Sequence, residues 1–405
     1  MAKKPYYTSN TLIEAVKRKM AMPISQVTFL NEDILAFADE EMFLAQVPSI
    51  LQYHEEYLVY EQLVPMVPKQ SKYAIPSRAI GMRIRDLFYR DLAGQLVQMS
   101  RINPDDRSFF EVNSNTTPIP IHYYVQNNQI VITPAVTQNS TGNLVFTYYM
   151  RPNSLVTDDQ AAICEKFSKD ITVSNLTLVT GNVLIIDGHT LTAGTDFAIG
   201  TSDAATASNL SNAISLLDPL QFSTSNTSNI ITVFYKTRSL YVASNNSAAL
   251  KVQSTITIHI PSTDTIPSSI LPGTMVDILQ AEGGHSTLNF DVLLQADAIS
   301  ASSLTFKETD IPYDFVVGDY ICSQYQCIIP QVPTDLHNLL AERTCARILE
   351  SLGDKEGLQA ANLKINELEQ RQSTILDSRV EGSPLKILNR TGLLRSSRIR
   401  FGRRG

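Results

Sequence analysis

The six histidines of this 405-residue chain stand at positions 54, 122, 189, 259, 285 and 337. A local zinc motif needs ligands a few residues apart, so that one turn or helix face can present two of them. No two histidines here lie closer than the 26 positions between His259 and His285. Cys164, Cys322, Cys327 and Cys345 lack paired spacing as well, and they read as reduced, structural thiols. Asp310, Asp314 and Asp319 fall four and five apart, without the short alternation of a calcium loop, and read as a solvated rim. The glycines at 181, 188, 194 and 200 fit neither a phosphate-cradling loop nor a dinucleotide fingerprint. "GGHST" sets His285 beside Ser286, but no G-x-S-x-G elbow surrounds the pair. Glu55 and Glu56, expected on a helix, would point from different faces, which suits solvent better than paired acid–base work. No catalytic residue, metal ligand or cofactor is assigned, and an enzyme is not expected.

The charge distribution is more informative. The chain holds 33 Lys and Arg against 40 Asp and Glu, a net charge of −7. Its last twenty residues, Lys386–Gly405, contain seven bases and no carboxylate, so the rest has 26 bases against 40 acids and carries −14. The bases are Lys386, Arg390, Arg395, Arg398, Arg400, Arg403 and Arg404. Such an arm can neutralise nucleic-acid phosphates, dock on an acidic protein surface through bidentate guanidinium–carboxylate pairs, or simply solubilise the chain. Leu393, Leu394, Ile399 and Phe401 are interleaved with the bases, as are Leu385, Ile387 and Leu388. A solvated tail has no use for them, so docking is the favoured reading.

The elements behind the arm form an α+β chain. No segment approaches the roughly 18 apolar residues that span a bilayer, and "MAKKPYYTSN" lacks the apolar run of a secretory signal, so no membrane partner is expected. Residues 1–65 read as helical. Thr11 to Glu14 resembles a capping box, Asn31 is placed at the cap of a second helix, and Pro48 is expected to open a third, running through "PSILQYHEEYLVYEQL". An antiparallel β-domain is expected over 66–174 and 254–333. It has hairpins at Ala93-Gly94 and Asn127-Asn128, and a strand in "GNLVFTYYMRP". Only seven of residues 171–260 are charged, and 175–253 reads as an inserted, separable β-rich module. Its one short helix carries Ala207, Leu210, Ile214 and Leu217. Helix returns over 334–380, with Leu336, Leu339, Leu340, Ile348, Leu349 and Leu352 on one face and a looser set including Leu363 beyond "GDKEG". The basic arm occupies 381–405.

Several stretches together resemble the head-to-tail adaptor (connector) proteins of tailed bacteriophages. They are "NEDILAFADEEM", "YAIPSRAIGMRIRDLFYRD", "YYVQNNQIVITP" and "FTYYMRPNSLV", then "IIPQVPTDLHNLLAERTCARILESLGDKEG" and "DSRVEGSPLKILNRTGLLR". The module's "GHTLTAGTDFAIGTSDAATASNLSNAI" departs from that pattern and is similar to small β-modules of phage virion proteins. The resemblance implies a structural virion protein, made in the host cytoplasm and placed at the head–tail interface. It implies a ring, commonly of twelve copies, beneath the portal. Such a ring extends the DNA channel, with transient DNA contact, and gives tail or nozzle proteins a docking surface. The arm would then be the tether to the portal protein, and the module would lie on the outside of the ring. The alternative from another class is a nucleic-acid-binding protein acting through the arm.

Overall fold

The computed structural model describes residues 8–22, 29–53, 56–106, 122–133, 142–175, 177–236, 242–281, 287–294, 299–300, 302–312 and 314–376. The chain divides into two compact units, Met1–Val47 with Pro152–Ile365, and Pro48–Arg151 with Asn366–Gly405. Helices and mostly antiparallel sheets occupy separate stretches, an α+β arrangement.

The helical expectation for the N-terminus holds with its boundaries moved. Helix Ser9–Lys19 is capped by Thr8, whose Oγ1 accepts the Thr11 N–H at 3.4 Å, so the cap lies three residues before Thr11. Helix Asn31–Glu41 starts one residue after its cap, Leu30, whose N–H is taken by the Asp33 carboxylate at 2.8 Å. Asn31 instead accepts from Lys17 Nζ at 2.7 Å. Pro48 does not open a separate helix. The helix passes through a π-turn at Met42–Gln46 and continues as Val47–Tyr53. Proline has no N–H for the carbonyl four residues back and would crowd it; widening the preceding turn relieves both problems without ending the helix. Nor does helix continue through "YLVYEQL", because Val59–Pro65 is a strand paired with Asn143–Tyr149. Its apolar residues follow neither period cleanly, and the sheet partner decides.

Within Pro48–Arg151 there are two four-stranded sheets. One runs Val59–Pro65, Asn143–Tyr149, Asp86–Arg90, Leu96–Gln98, and the other Lys72–Ala74, Gln129–Thr133, His122–Gln126, Ser100–Arg101. The Asn127-Asn128 turn has both residues at positive φ, 50° and 57°, which asparagine tolerates and which twists with the strands it joins. Leu144, Val145, Phe146, Thr147 and Tyr148 are all buried, so this central strand is covered on both faces although its sequence alternates.

In the other unit, a strand at Lys166–Val173 organises a seven-stranded sheet. It pairs with Ile230–Tyr235 along one edge, and with Thr255–His259 and Leu250–Val252 along the other. The low-charge segment thus does not stop at 175, since three of its strands join the sheet that 166–173 begins. A smaller sheet of Val183–Ile186, His189–Thr192 and Val242–Ser244 lies wholly inside it, with a tight turn at Asp187-Gly188. Helix Asp203–Leu217 buries Ala207, Leu210 and Ile214 in the same core. Phe167 lies at the centre, stacked on Tyr235 (5.7 Å) and edge-on to Phe315 (5.5 Å). A four-stranded sheet, Ala161–Ile163, Tyr320–Ser323, Met275–Leu279 and Thr287–Leu293, completes this unit's β-structure together with a parallel pair, Gln326–Cys327 with Ser154–Leu155.

Replacing 175–253 with a short Gly/Ser bridge removes every strand partner of residues 169–173 and strips apolar cover from Phe167, Ile171 and Val173. The expected result is a protein that is insoluble or melts about 10 °C or more below the parent in a thermal scan. Unchanged melting would mean that Lys166–Val173 holds its place without those strands.

A candidate docking surface at the root of the basic arm

All eleven arm residues chosen from the sequence, Lys386 to Arg404, lie outside the described residues, as do His54, Glu55, His285 and Ser286. What can be built is the support from which the arm departs. Leu12, Ile13 and Val16 of the first helix, Ile34, Leu35 and Ala38 of the second, and Leu339, Leu340 and Ile348 of helix His337–Leu352 are buried. Each such side chain contributes about 1.5–3 kcal/mol when removed from water. Leu352, expected on that face, is instead half exposed at the helix end.

Carboxylates fix the register of these helices. Glu41, nearly buried, accepts from Arg347 Nε at 2.5 Å and Arg343 Nη1 at 3.1 Å. Glu342, also nearly buried, is held by Lys19 from the first helix and by Lys364 Nζ at 2.5 Å from the last. Burial works against the Glu342 charge, but the two ammonium groups prevail and its carboxyl titrates below the ordinary glutamate range. Lys19 also reaches Asn338 Oδ1 at 2.8 Å. Thr8 Oγ1 and the Asn10 N–H donate to Asp158 at 3.1 and 3.2 Å, and the Ser9 N–H meets the Ile328 carbonyl at 2.7 Å.

Gly353, at φ +75°, ends helix His337–Leu352, and Asp354 Oδ1 accepts the Gly357 N–H at 3.0 Å to start Lys355–Leu376. These 22 residues rise about 33 Å at 1.5 Å each. Through residue 371 only Ala361 and Ile365 are buried, while Leu363, expected on the apolar face, stands 73% exposed. The arm therefore follows a helix presented largely to solvent.

Geometry also brings together groups that spacing could not. Ser168 Oγ lies 2.8 Å from His259 Nε2, across a 91-residue separation. Burial, and then the Lys166 charge, lowers the His259 pKa, which keeps a neutral imidazole available as a base. But Ser168 is 3% exposed in mid-strand, so no substrate can meet its hydroxyl, and the pair serves the sheet. Asp319 is not on a solvated rim: it is buried and accepts the Ala281 and Val316 N–H groups at 2.8 and 2.9 Å. The four thiols are buried, and burial pushes their pKa values up, Cys345 to about 12, which suits inert packing groups. Among the described residues no three of His, Cys, Asp and Glu converge as a metal site, and no helix is long and apolar enough to cross a membrane.

The SU10 adaptor protein family matches from residue 7 to residue 178, a stretch that contains both N-terminal helices, the two four-stranded sheets and the Lys166–Val173 strand. That match agrees with the resemblance to bacteriophage adaptors read from the sequence. It stops near the start of the low-charge segment, so the remaining strands and the C-terminal helices lie beyond it. No curated protein matches this chain. A solved structure from Mycobacterium phage Patience aligns at 12% identity over 62% of this chain and 92% of its own, with a TM-score of 0.17, too low to speak for a shared arrangement.

Two expectations follow for the helical support. Glu41→Gln leaves two guanidinium groups beside a neutral amide, and should cost about 2–3 kcal/mol in a urea titration. Glu350→Gln removes only the exposed contact to Arg347 (3.2 Å), and should cost less than about 0.5 kcal/mol.

Asp39 tests the opposite sign of linkage. Burial raises its pKa from 3.8 to about 7, although the Leu155 N–H it accepts at 2.9 Å works the other way. Its folded pKa exceeds its unfolded one, so its contribution is full below pH 3.8, falls as pH rises to about 7, and stays lost above. Asp39→Asn keeps an acceptor for Leu155 without the charge. The variant should melt about 1–3 °C above the parent at pH 8, and the difference should vanish near pH 4. An equal shift at both pH values would assign the effect to packing.

Proposed function

We propose that this protein is a phage adaptor that closes into a ring between the portal vertex of a phage head and the tail, extending the DNA channel and presenting a docking surface to tail or nozzle proteins. The match of residues 7–178 to an adaptor family carries the reading. The solvent-facing helix Lys355–Leu376, leading into seven bases interleaved with apolar residues, supports a tethering arm. The arm from Lys386 to Gly405 is the portal contact: guanidinium forks pair with carboxylates while Leu393, Leu394, Ile399 and Phe401 bury apolar surface. Repetition around a closed ring turns a modest contact per arm into tight capture. The protein works in the virion at the head–tail interface and assembles in the host cytoplasm, and the 175–253 segment faces outward toward tail components. Its role is structural rather than catalytic.

The test mixes the full chain with its portal and reads the native mass. Three variants are compared: truncation after Pro384; Arg398, Arg400, Arg403 and Arg404 to Gln; and Leu393, Leu394, Ile399 and Phe401 to Ser. All should weaken capture, and the Ser variant should keep its defect at high salt, where charge attraction is screened. Undiminished capture by the truncated chain would overturn the tether. Salt-sensitive retention on DNA that vanishes on truncation, with portal capture intact, would give the arm to nucleic acid instead.

A further inference from the structure

The two compact units differ sharply in charge. Residues 1–47 and 152–365 hold 15 bases against 28 acids, a net −13, whereas 48–151 hold nine against eight, a net +1, and 366–405 hold nine against four, a net +5. Outside the arm, the attraction between copies must therefore come from local clusters of arginine on the second unit meeting the acidic surface of the first. That is a heterologous pairing, and repeated with a closing rotation it generates a ring rather than a two-fold dimer.

The basic unit has a formed receptor for such a contact. Arg83, Arg85 and Arg101 border a groove of about 520 Å³ that is also lined by Ile75, Tyr123 and Val125. All three arginines are exposed, whereas Ile75 and Tyr123 are buried. Gly81 and Met82 precede Arg83, both at positive φ (61° and 55°), a sharp reversal at one side of the groove. Among the described residues the arginines meet one carboxylate, Asp86, 3.7 Å from Arg85. The charge is therefore largely unspent. Guanidinium groups beside apolar and aromatic surface suit an acidic, partly apolar protein edge. A phosphate backbone asks for cations spread along a track, and the rest of 48–151 is close to neutral, with nine bases and eight acids in all.

The acidic unit offers an edge of that kind. Leu30 is 61% exposed, and Glu32 and Asp159, both exposed, line the same depression beside it, together with Lys17, whose ammonium donates to Asn31 Oδ1 at 2.7 Å. We propose that the Arg83–Arg85–Arg101 groove of one copy receives the Leu30–Glu32–Asp159 edge of the next, as the copy-to-copy contact of the ring. This inference rests on the ring reading above.

The experiment is native mass and analytical ultracentrifugation of the full chain, first unaltered and then with Arg83, Arg85 and Arg101 changed to Glu. The expected result is an apparent dissociation constant raised on the order of 100-fold, with melting temperature unchanged. Adding Glu32→Arg and Asp159→Arg to the same chain should restore assembly, and a milder triple Arg→Gln variant should fall between. A parent that stays monomeric alone and with portal would overturn the ring reading itself. An assembled parent with an equally assembled Glu variant would overturn the groove alone. Loss of assembly without rescue would overturn the assigned acidic edge. Intact assembly with weakened retention on DNA would give the groove to nucleic acid.

Discussion

Two buried carboxylates hold the helices of this protein in place. Glu41 gathers Arg343 and Arg347, and Glu342 gathers Lys19 and Lys364, so four helical segments are tied through two points. A carboxylate taken out of water is costly unless paired on more than one side, and here each has two cations. The apolar contacts among Leu12, Ile34 and Leu340 would tolerate sliding by a turn with modest loss. The charges do not, because any other register leaves an ion unpaired. The support for the arm thus owes its energy to apolar burial and its single arrangement to these pairs.

Local chemistry was legible and distant chemistry was not. The Asn127-Asn128 turn, and the Ala207, Leu210 and Ile214 stripe, could be placed because their causes lie within a few residues. Val59–Pro65 could not, since its partner is Asn143–Tyr149 and an ambiguous pattern takes the structure its neighbour offers. Asp319 read as solvated because nothing nearby shows that Ala281 and Val316 would supply it with donors. The carboxylate pairs are harder still: Glu41 and Arg347 are 306 positions apart. The arm was conspicuous by composition, yet its residues fall outside those described.

Chemistry-bearing groups in this chain are spent on structure. Asp277, fully buried, accepts from the Asn153 amide at 2.7 Å and from two backbone N–H groups. His337, also buried, turns Nε2 toward the carbonyls of Pro330 and Val332 at 3.2 and 3.1 Å. Polar residues used this way select one packing over its near competitors.

The Ser9–Ile328 hydrogen bond and the Lys19–Glu342 pair join positions 319 and 323 apart, and this distance governs the order of folding. A ribosome adding about 5–20 residues per second needs on the order of 15–60 s to supply those partners after the first helix has emerged. Throughout that interval Leu12, Ile13 and Val16 lack the part of their cover that helix His337–Leu352 supplies. The strand Lys166–Val173 likewise waits for the later strands on both of its edges. The last elements made complete the site of the first, so the fold closes only near the end of synthesis.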